Sequence, residues 1–383
     1  MALTGLQIFK LLPNTNCKKC GHPTCLAFAM KLAAGKESLD KCPDATEEAR
    51  AALGAASSPP IGRVTIGRGP RAVSVGEETV YFRHERTFVG RPGFFRHLER
   101  PGSADDLAMR LDEWKALRLE RAGEAFAVDG VSLSESAGTP ACREAAAAVA
   151  ERELPLLLFA ETADGATAIL ESVKESRPLL VPPSGVELAP FVAVAARLGI
   201  PLVVSAVDLP ALADAAAHAA KAGVGGLLLE PPGRDLRELH RSLSLIRRGA
   251  LDRAHPGLGY PVFLRVGAGE LEKAVLGITK FASVLSLADG GGETWLPLWT
   301  LRQNVYTDPQ KPLQMDPGVY AMGEPDAHSP LLVTTNFSLT YFIVSTELDA
   351  VGMPSHLAVV DTEGMSVLTA WSAGKFSGER VGH

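Results

Sequence analysis

Leu202-Val203-Val204-Ser205-Ala206, then the segment Pro210 to Gly223, then Gly226-Leu227-Leu228-Leu229-Glu230 form the stretch that decides the fold. Two apolar runs of strand length flank an alanine-rich segment of helical length, and Gly223 is placed to end that helix. Strand, helix and strand at this spacing make a parallel βαβ unit. The alternation extends outward in both directions. Upstream lie predicted strands Thr79–Phe82, Ala125–Val128, Leu156–Ala160 and Leu179–Pro182, and a helix over Leu188–Gly199. Downstream come a helix over Leu236–Gly249 and strands Val262–Val266 and Ser283–Leu287. Eight strands between residues 61 and 320 predict an α/β domain closed as a (β/α)8 barrel, with an open doubly wound sheet as the alternative.

In such a barrel the strand ends Pro182-Pro183, Ala206, Glu230-Pro231-Pro232 and Gly267 face the functional side. No constellation there defines a catalytic site. Glu230 and Asp289 are the candidate polar residues, weighed against ordinary solvated loop carboxylates. No H-E-x-x-H, Walker A or G-x-S-x-G motif occurs, and Gly290-Gly291-Gly292 lacks the spacing of a phosphate loop. Cys142, after Pro140, reads as an inert thiol because nothing local would activate it.

The other four cysteines fall within the first 42 residues: Cys17-Lys18-Lys19-Cys20-Gly21-His22-Pro23-Thr24-Cys25, then Cys42-Pro43. Cys17, Cys20, Cys25 and Cys42, in the pattern C-x2-C-x4-C-x16-C, offer the four thiolates of one closed metal site. Disulfide pairing fits poorly, since nothing indicates secretion. Zinc takes the same ligand number but usually sits between two C-x2-C knuckles. Three cysteines on one loop with a remote fourth before proline favour a [4Fe-4S] cluster, and zinc stays as the alternative. Residues 1–57 read as a small helical domain around this site. Its first helix carries Leu3, Leu6, Ile8, Phe9 and Leu12; its second has Pro23 and Cys25 in the first turn and ends at Gly35. A third covers Glu47–Leu53, and Ala55–Pro60 is a linker. Helix-terminal amides near Cys25 would stabilise a thiolate or sulfide.

The whole chain has 383 residues, 46% hydrophobic and 21% charged, with a formal charge of -6. That length predicts two or three domains. The acidic balance argues against nucleic acid as the main partner. No signal segment and no run of membrane-spanning length is visible, which predicts a cytoplasmic protein without a membrane partner. In the last segment, 321–383, Leu331–Thr335 and His356–Asp361 read as strands, covered by helices over Thr340–Glu347 and Ser366–Phe376. The polar loops Thr334–Ser338 and Asp361–Gly364 suit a cofactor lying over strand carboxyl ends.

The residues also resemble a known family, the large subunit of the corrinoid iron–sulfur protein, or gamma subunit of the acetyl-CoA decarbonylase/synthase complex. The matching blocks are Leu3–Leu6, the cysteine spacing, Thr24–Met30, Phe82-Arg83-His84-Glu85 and Arg302–Gln310. They are most specific in Val333–Tyr341 and Val360–Trp371. The blocks bracket the chain, while roughly 90–150 departs from the pattern.

The resemblance implies three domains: a [4Fe-4S] domain (1–57), a TIM-like barrel (61–320) and a corrinoid-binding α/β domain (321–383). It implies Cys17, Cys20, Cys25 and Cys42 as cluster ligands. Thr334, Thr335, Asn336, Ser338, Thr340, Ser366, Leu368, Thr369 and Ala370 match corrinoid-lining stretches. In the family, cobalt(I) of a cobalamin-type, base-off corrinoid takes a methyl group from a methyl-tetrahydropterin by way of a separate methyltransferase. The corrinoid then passes that methyl to acetyl-CoA synthase, and the cluster returns stray cobalt(II) to cobalt(I). The implied activity is thus a Co-methyltransferase subunit of the reductive acetyl-CoA pathway, in a heterodimer with a small corrinoid iron–sulfur subunit.

Absence of the D-x-H-x-x-G motif fits the base-off form, since Asp326-Ala327-His328 continues as Ser329-Pro330-Leu331. His328 then reads as an ordinary loop histidine. A cobalt with a weak lower ligand reaches the +1 state and releases methyl more readily. Family members continue beyond the Gly374-Lys375-Phe376 region, whereas this sequence finishes at His383. A corrinoid domain truncated at its C-terminus is therefore expected, and with it weaker corrinoid retention. That expectation keeps two other readings in play: an electron-transfer iron–sulfur protein without functional corrinoid, and a zinc-stapled scaffold.

Overall fold

The computed structural model describes residues 5–33, 37, 39–46, 60–83, 85, 87–135, 139–288, 290–307 and 313–382. The expected helix at Glu47–Leu53, the linker up to residue 59, Gly35 and Asp289 lie outside the described residues.

Two helices open the chain, α1 (Gly5–Leu11) and α2 (Cys25–Ala33). They share a core of Ile8, Leu12, Phe28 and Ala29 into which Cys25 and Cys42 are packed. The helices approach so closely at Gly5 that a Cβ there would overlap the Met30 sulfur. α2 begins two residues later than expected. Thr24 is its capping residue, its Oγ1 accepting from the Ala27 amide at 3.1 Å, and Pro23 is left outside.

A hairpin of β1 (Val64–Ile66) and β2 (Val73–Val75) precedes the barrel. There follow β3 (Gly93–Leu98), α3 (Ala104–Ala116), the outer hairpin β4 (Leu119–Arg121) and β5 (Glu124–Phe126), and β6 (Gly130–Ser134). Then come α4 (Thr139–Glu151), β7 (Leu156–Phe159), α5 (Ala163–Leu170), β8 (Leu179–Val181) and α6 (Ala189–Leu198). β9 (Leu202–Ser205), α7 (Leu209–Lys221), β10 (Leu227–Glu230) and α8 (Leu236–Leu251) continue the alternation. β11 (Val262–Val266), α9 (Leu271–Thr279), β12 (Ala282–Leu287) and α10 (Gly292–Tyr306) complete it. The eight strands β3, β6, β7, β8, β9, β10, β11 and β12 close in that order into a parallel barrel.

Local chemistry starts the helices where the sequence places them. Asp208 Oδ1 accepts from the Ala211 amide at 2.8 Å, and Asp235 Oδ1 accepts from that of Glu238 at 2.8 Å. Alternate strand residues then sort into two cores. Phe95, Leu157, Leu179, Val203, Leu228, Phe263 and Val284 fill the lumen, together with Val64, Ile66 and Val75 of the hairpin. Leu158, Leu180 and Leu229 face outward onto the helices. The β1–β2 hairpin therefore plugs the amino-terminal end of the barrel.

Six of the eight expected strands are barrel strands; two are not. Ala125–Val128 contributes only to the outer β4–β5 hairpin, and Thr79–Phe82 is irregular chain. The carbonyl of Val80 is taken by Arg247 on α8, at 2.6 and 3.1 Å, instead of by a neighbouring strand. Arg247 also pairs with buried Glu78 at 3.4 Å, whose other oxygen accepts from the amides of Val89 and Gly90 at 2.7 and 2.9 Å. Burial pushes the Glu78 carboxyl above its ordinary value, against those hydrogen bonds and the Arg247 charge. The strands the sequence hides are β3 and β6, where His97 and Ser132 interrupt the apolar pattern.

Near its end the chain forms β13 (Gly318–Met322), β14 (Leu331–Thr335), α11 (Ser338–Val351), β15 (Ser355–Val360) and α12 (Val367–Ser372). β14 and β15 are the two expected strands. β15 is central, parallel to β14 and antiparallel to β13, a strand the sequence reading missed. α11 runs longer than expected, and α12 is shorter.

Candidate functional site

Three places carry concentrated chemistry. The first is the N-terminal head, where Cys25 and Cys42 are 8% and 6% exposed, Cys20 is half-buried and Cys17 is exposed. All four are free thiols. Burial pushes the Cys42 thiol up; a hydrogen bond from the Asp44 backbone opposes this, and charge on Cys20 and Cys17 adds to it. Lys19 lies 3.1 Å from both Asp44 carboxylate oxygens. That hydrogen bond, then the Asp44 charge, raises the Lys19 pKa, and Cys17 and Cys42 reinforce it. Of the two lysines between the first two cysteines, Lys19 is thus the one tied to the loop of Cys42.

Three of the helix-end amides of α2 have partners other than the sulfurs. The Cys25 amide donates to Asn16 Oδ1 at 2.8 Å, that of Ala27 goes to Thr24 Oγ1, and that of Phe28 to the Thr24 carbonyl. Among the described residues, no three His, Cys, Asp or Glu side chains converge as a single-ion site. The donor set itself, Cys20, Cys25 and Cys42 at one small core with exposed Cys17 on the loop of Cys20, has the ligand number and chemistry of a thiolate-bound cluster.

The second place is the carboxyl-terminal mouth of the barrel. Glu230 is not a solvated loop carboxylate: Arg265 donates to both its oxygens, at 2.7 and 3.1 Å, and also to the Pro182 carbonyl. The Arg265 guanidinium lies 4.9 Å over the Phe159 ring, and His97 packs edge-on to the same ring at 5.4 Å. His97 Nδ1 is 3.2 Å from Ser132 Oγ, which is 2.8 Å from Ser286 Oγ. Below this polar layer the lumen is apolar. Gly291 caps α10, and the preceding Gly290 carbonyl accepts from Arg96. Cys142 is buried, and burial pushes its pKa up to about 12, which keeps the thiol protonated and inert.

The third place is the carboxyl edge of β14 and β15. Both strands end there because they run parallel, and α11 and α12 start there. Asn336 organises the edge. Its Oδ1 accepts from the Thr362 amide and hydroxyl, both at 3.0 Å, and from the Gly364 amide at 2.9 Å. Its amide nitrogen donates to Asp361 at 3.1 Å and Gln314 at 3.2 Å. Gly364 follows Glu363 in the left-handed region, with φ of 74° and 58°, so the loop needs glycine to turn its amide back.

Of the residues the resemblance pointed to, Thr334, Thr335, Asn336, Ser338 and Ala370 are buried, and Thr340 and Ser366 are half-buried. Leu368, 72% exposed, and Thr369 face out beside Trp371, 68% exposed. The Thr334 and Thr335 hydroxyls are buried with no hydrogen-bond partner. Orphaned hydroxyls under an exposed apolar rim fit a bound polar-edged group such as a corrinoid. Asn336→Ala leaves two buried donors at this edge unsatisfied, the Thr362 and Gly364 amides, while the Thr362 hydroxyl keeps the Met365 carbonyl at 3.2 Å. It is expected to lower stability by roughly 2–4 kcal/mol in urea titration, with new proteolytic cleavage in 361–366.

The sequence is similar to those of known proteins. A family model described as "CO dehydrogenase/acetyl-CoA synthase delta subunit" matches residues 63–383, and one described as "Putative Fe-S cluster" matches residues 12–43. The corrinoid/iron-sulfur protein large subunit of Moorella thermoacetica is 38% identical, over 100% of this chain and 87% of that protein. The acetyl-CoA decarbonylase/synthase complex subunit gamma of Methanothermobacter thermautotrophicus is 32% identical, over 100% and 87%. Dihydropteroate synthase from Thermus thermophilus aligns at 20% identity with a TM-score of 0.40, covering 60% of this chain and 100% of that one. The chain belongs to the family of corrinoid/iron-sulfur protein large subunits, the gamma subunits of acetyl-CoA decarbonylase/synthase.

Proposed function

We propose that this chain is the methyl-carrying subunit of the reductive acetyl-CoA pathway, holding one [4Fe-4S] cluster and one base-off corrinoid. The observation that carries the reading is one chain with three free thiols at a small core and a fourth on the same loop, a closed barrel, and a parallel strand edge with orphaned threonine hydroxyls. Cys17, Cys20, Cys25 and Cys42 would hold the cluster. Thr340, Ser366, Leu368 and Thr369 would meet the corrinoid, while Thr334, Thr335, Asn336, Ser338 and Ala370 shape the edge beneath it. When bound, the corrinoid supplies a nucleophilic cobalt for a methyl group and the cluster supplies the electron that restores it.

The residues of the chain do the holding. Two of the four cysteines are shielded from water by Ile8, Leu12 and Phe28. His328 sits in an exposed turn before β14, at the opposite end of that strand from Thr335, and its amide donates to Asp326 Oδ1 at 2.9 Å. That placement accords with a cobalt given no ligand by His328. The proposed division is 1–57, 61–320 and 321–383, with β13 crossing the last boundary to pair with β15.

The proposed partners are a small corrinoid iron–sulfur subunit in a heterodimer, a methyltetrahydropterin methyltransferase and acetyl-CoA synthase, in the cytoplasm. Among the described residues no helix is long and apolar enough to cross a membrane. The test is the iron, zinc and cobalt content of the chain purified without oxygen together with its small subunit. About four irons with cobalt are expected. The same iron with no cobalt, even after corrinoid is added, would leave an electron carrier. Zinc in place of iron would overturn the reading.

A further inference from the structure

The cysteine head is closed by polar contacts that the sulfurs do not make. His22 lies between Cys20 and Cys25, and Lys41 directly precedes Cys42. Both reach the same carboxylate. His22 Nε2 is 3.0 Å from Glu37 Oε1, and Lys41 Nζ is 2.6 Å from Glu37 Oε2. The imidazole is also fixed from its other side, stacked on Phe28 with ring centres 5.5 Å apart. Phe28 is fully buried at the centre of the small core.

The two contacts do different work. Glu37 and Lys41 are four residues apart, so their pairing stiffens the 3-10 turn Leu39–Lys41 that delivers Cys42. His22 and Glu37 are fifteen residues apart, so their contact fastens that turn to the loop carrying the other ligands. The second contact is sheltered, with side chains only 10% and 13% exposed. By contrast Lys19–Asp44, another link between the two loops, is 58% and 36% exposed, and open ion pairs of this kind hold little.

We propose that Glu37 is a positioning residue for the metal cluster: by bridging His22 to Lys41 it sets Cys42 against the loop of Cys17, Cys20 and Cys25. The inference rests on those four cysteines being the ligands. Cys42 is the one ligand returned by a long excursion, so its sulfur is the one whose place depends on an added tie. Groups that orient ligands without touching the metal alter its retention when removed.

The test compares wild type with Glu37→Ala, Glu37→Gln and His22→Phe, all prepared without oxygen. Iron release to a ferrous chelator and the electron paramagnetic resonance spectrum of the reduced cluster are recorded. Glu37→Ala is expected to release iron about 10- to 100-fold faster than wild type, with a broadened spectrum. Glu37→Gln keeps a hydrogen-bonding group for His22 and should fall between the two. His22→Phe keeps the stacking on Phe28 and the Glu37–Lys41 pairing but not the hydrogen bond, and should release iron faster than wild type but no faster than Glu37→Ala. The thermal midpoint of the barrel should be the same in all four. Glu37→Ala or His22→Phe releasing iron at the wild-type rate with a wild-type spectrum would overturn the bridge while leaving the ligand assignment standing. A wild-type chain without iron would overturn the ligand assignment, and the bridge with it.

Discussion

Cys20→Ala is expected to empty the N-terminal head of iron, from about four atoms to near zero, while the barrel stays folded. Cys20 is half-buried beside the core formed by Ile8, Leu12, Phe28 and Ala29. Three remaining thiols cannot complete a four-thiolate set. No described residue of the head contributes to either barrel core, so a change at Cys20 leaves that packing untouched. Iron content and visible absorbance report the first part, and the thermal midpoint followed by circular dichroism reports the second. Wild-type absorbance in the variant would remove Cys20 from the ligand set.

Arg247→Met is expected to destabilise the chain by about 3–5 kcal/mol at neutral pH, because it strands the Glu78 carboxylate in a buried site. Arg247 also gives up both hydrogen bonds to Val80 and its place 4.6 Å over the Phe281 ring. The pH dependence has a definite sign. Burial already raises the folded-state pKa of Glu78 above its ordinary value of 4.5, and losing the guanidinium raises it further. The folded state then binds the proton more tightly than the unfolded chain. Stability is therefore highest below the unfolded value and is lost as the pH rises through the folded one. Urea titrations of the variant should accordingly show a deficit that shrinks as the pH is lowered toward 4.5. Glu78→Gln combined with Arg247→Met should recover part of the loss, since no charge then remains buried. A double variant as unstable as the single one would mean that packing, not charge, sets the cost.

The barrel was legible wherever a strand is apolar on both faces, as Leu227-Leu228-Leu229 and Leu179-Leu180-Val181 are. Parallel strands are covered on both sides, so continuous apolar runs reveal them. β3 and β6 escaped because their lumen-facing His97 and Ser132 belong to the polar layer at the mouth. Thr79–Phe82 misled for the opposite reason: it looks like a strand, but its backbone is claimed by Arg247 from far along the chain. In the head, the cysteine spacing announced the site. The partners around it, Asn16, Glu37 and Lys41, carry no local signature and appear only once the loops are folded. At the C-terminal edge most of the polar side chains in the block Val333–Tyr341 are buried. Asn336 holds loops together there, a role that spacing alone does not reveal.

Barrel closure joins β12 to β3, the last barrel strand to the first, in register from Val284 with Gly93 to Leu287 with Arg96. During synthesis the edge of β3 has no partner on that side until Ala282–Leu287 has left the ribosome. At about 5–20 residues per second, the roughly 190 intervening residues take on the order of 10–40 s. The described core of the head, by contrast, is built from residues that precede β3 in the chain, and no barrel residue is part of it. The core of the head can thus form before the barrel closes, and a nascent chain stalled before β12 would carry that core on an open, aggregation-prone sheet.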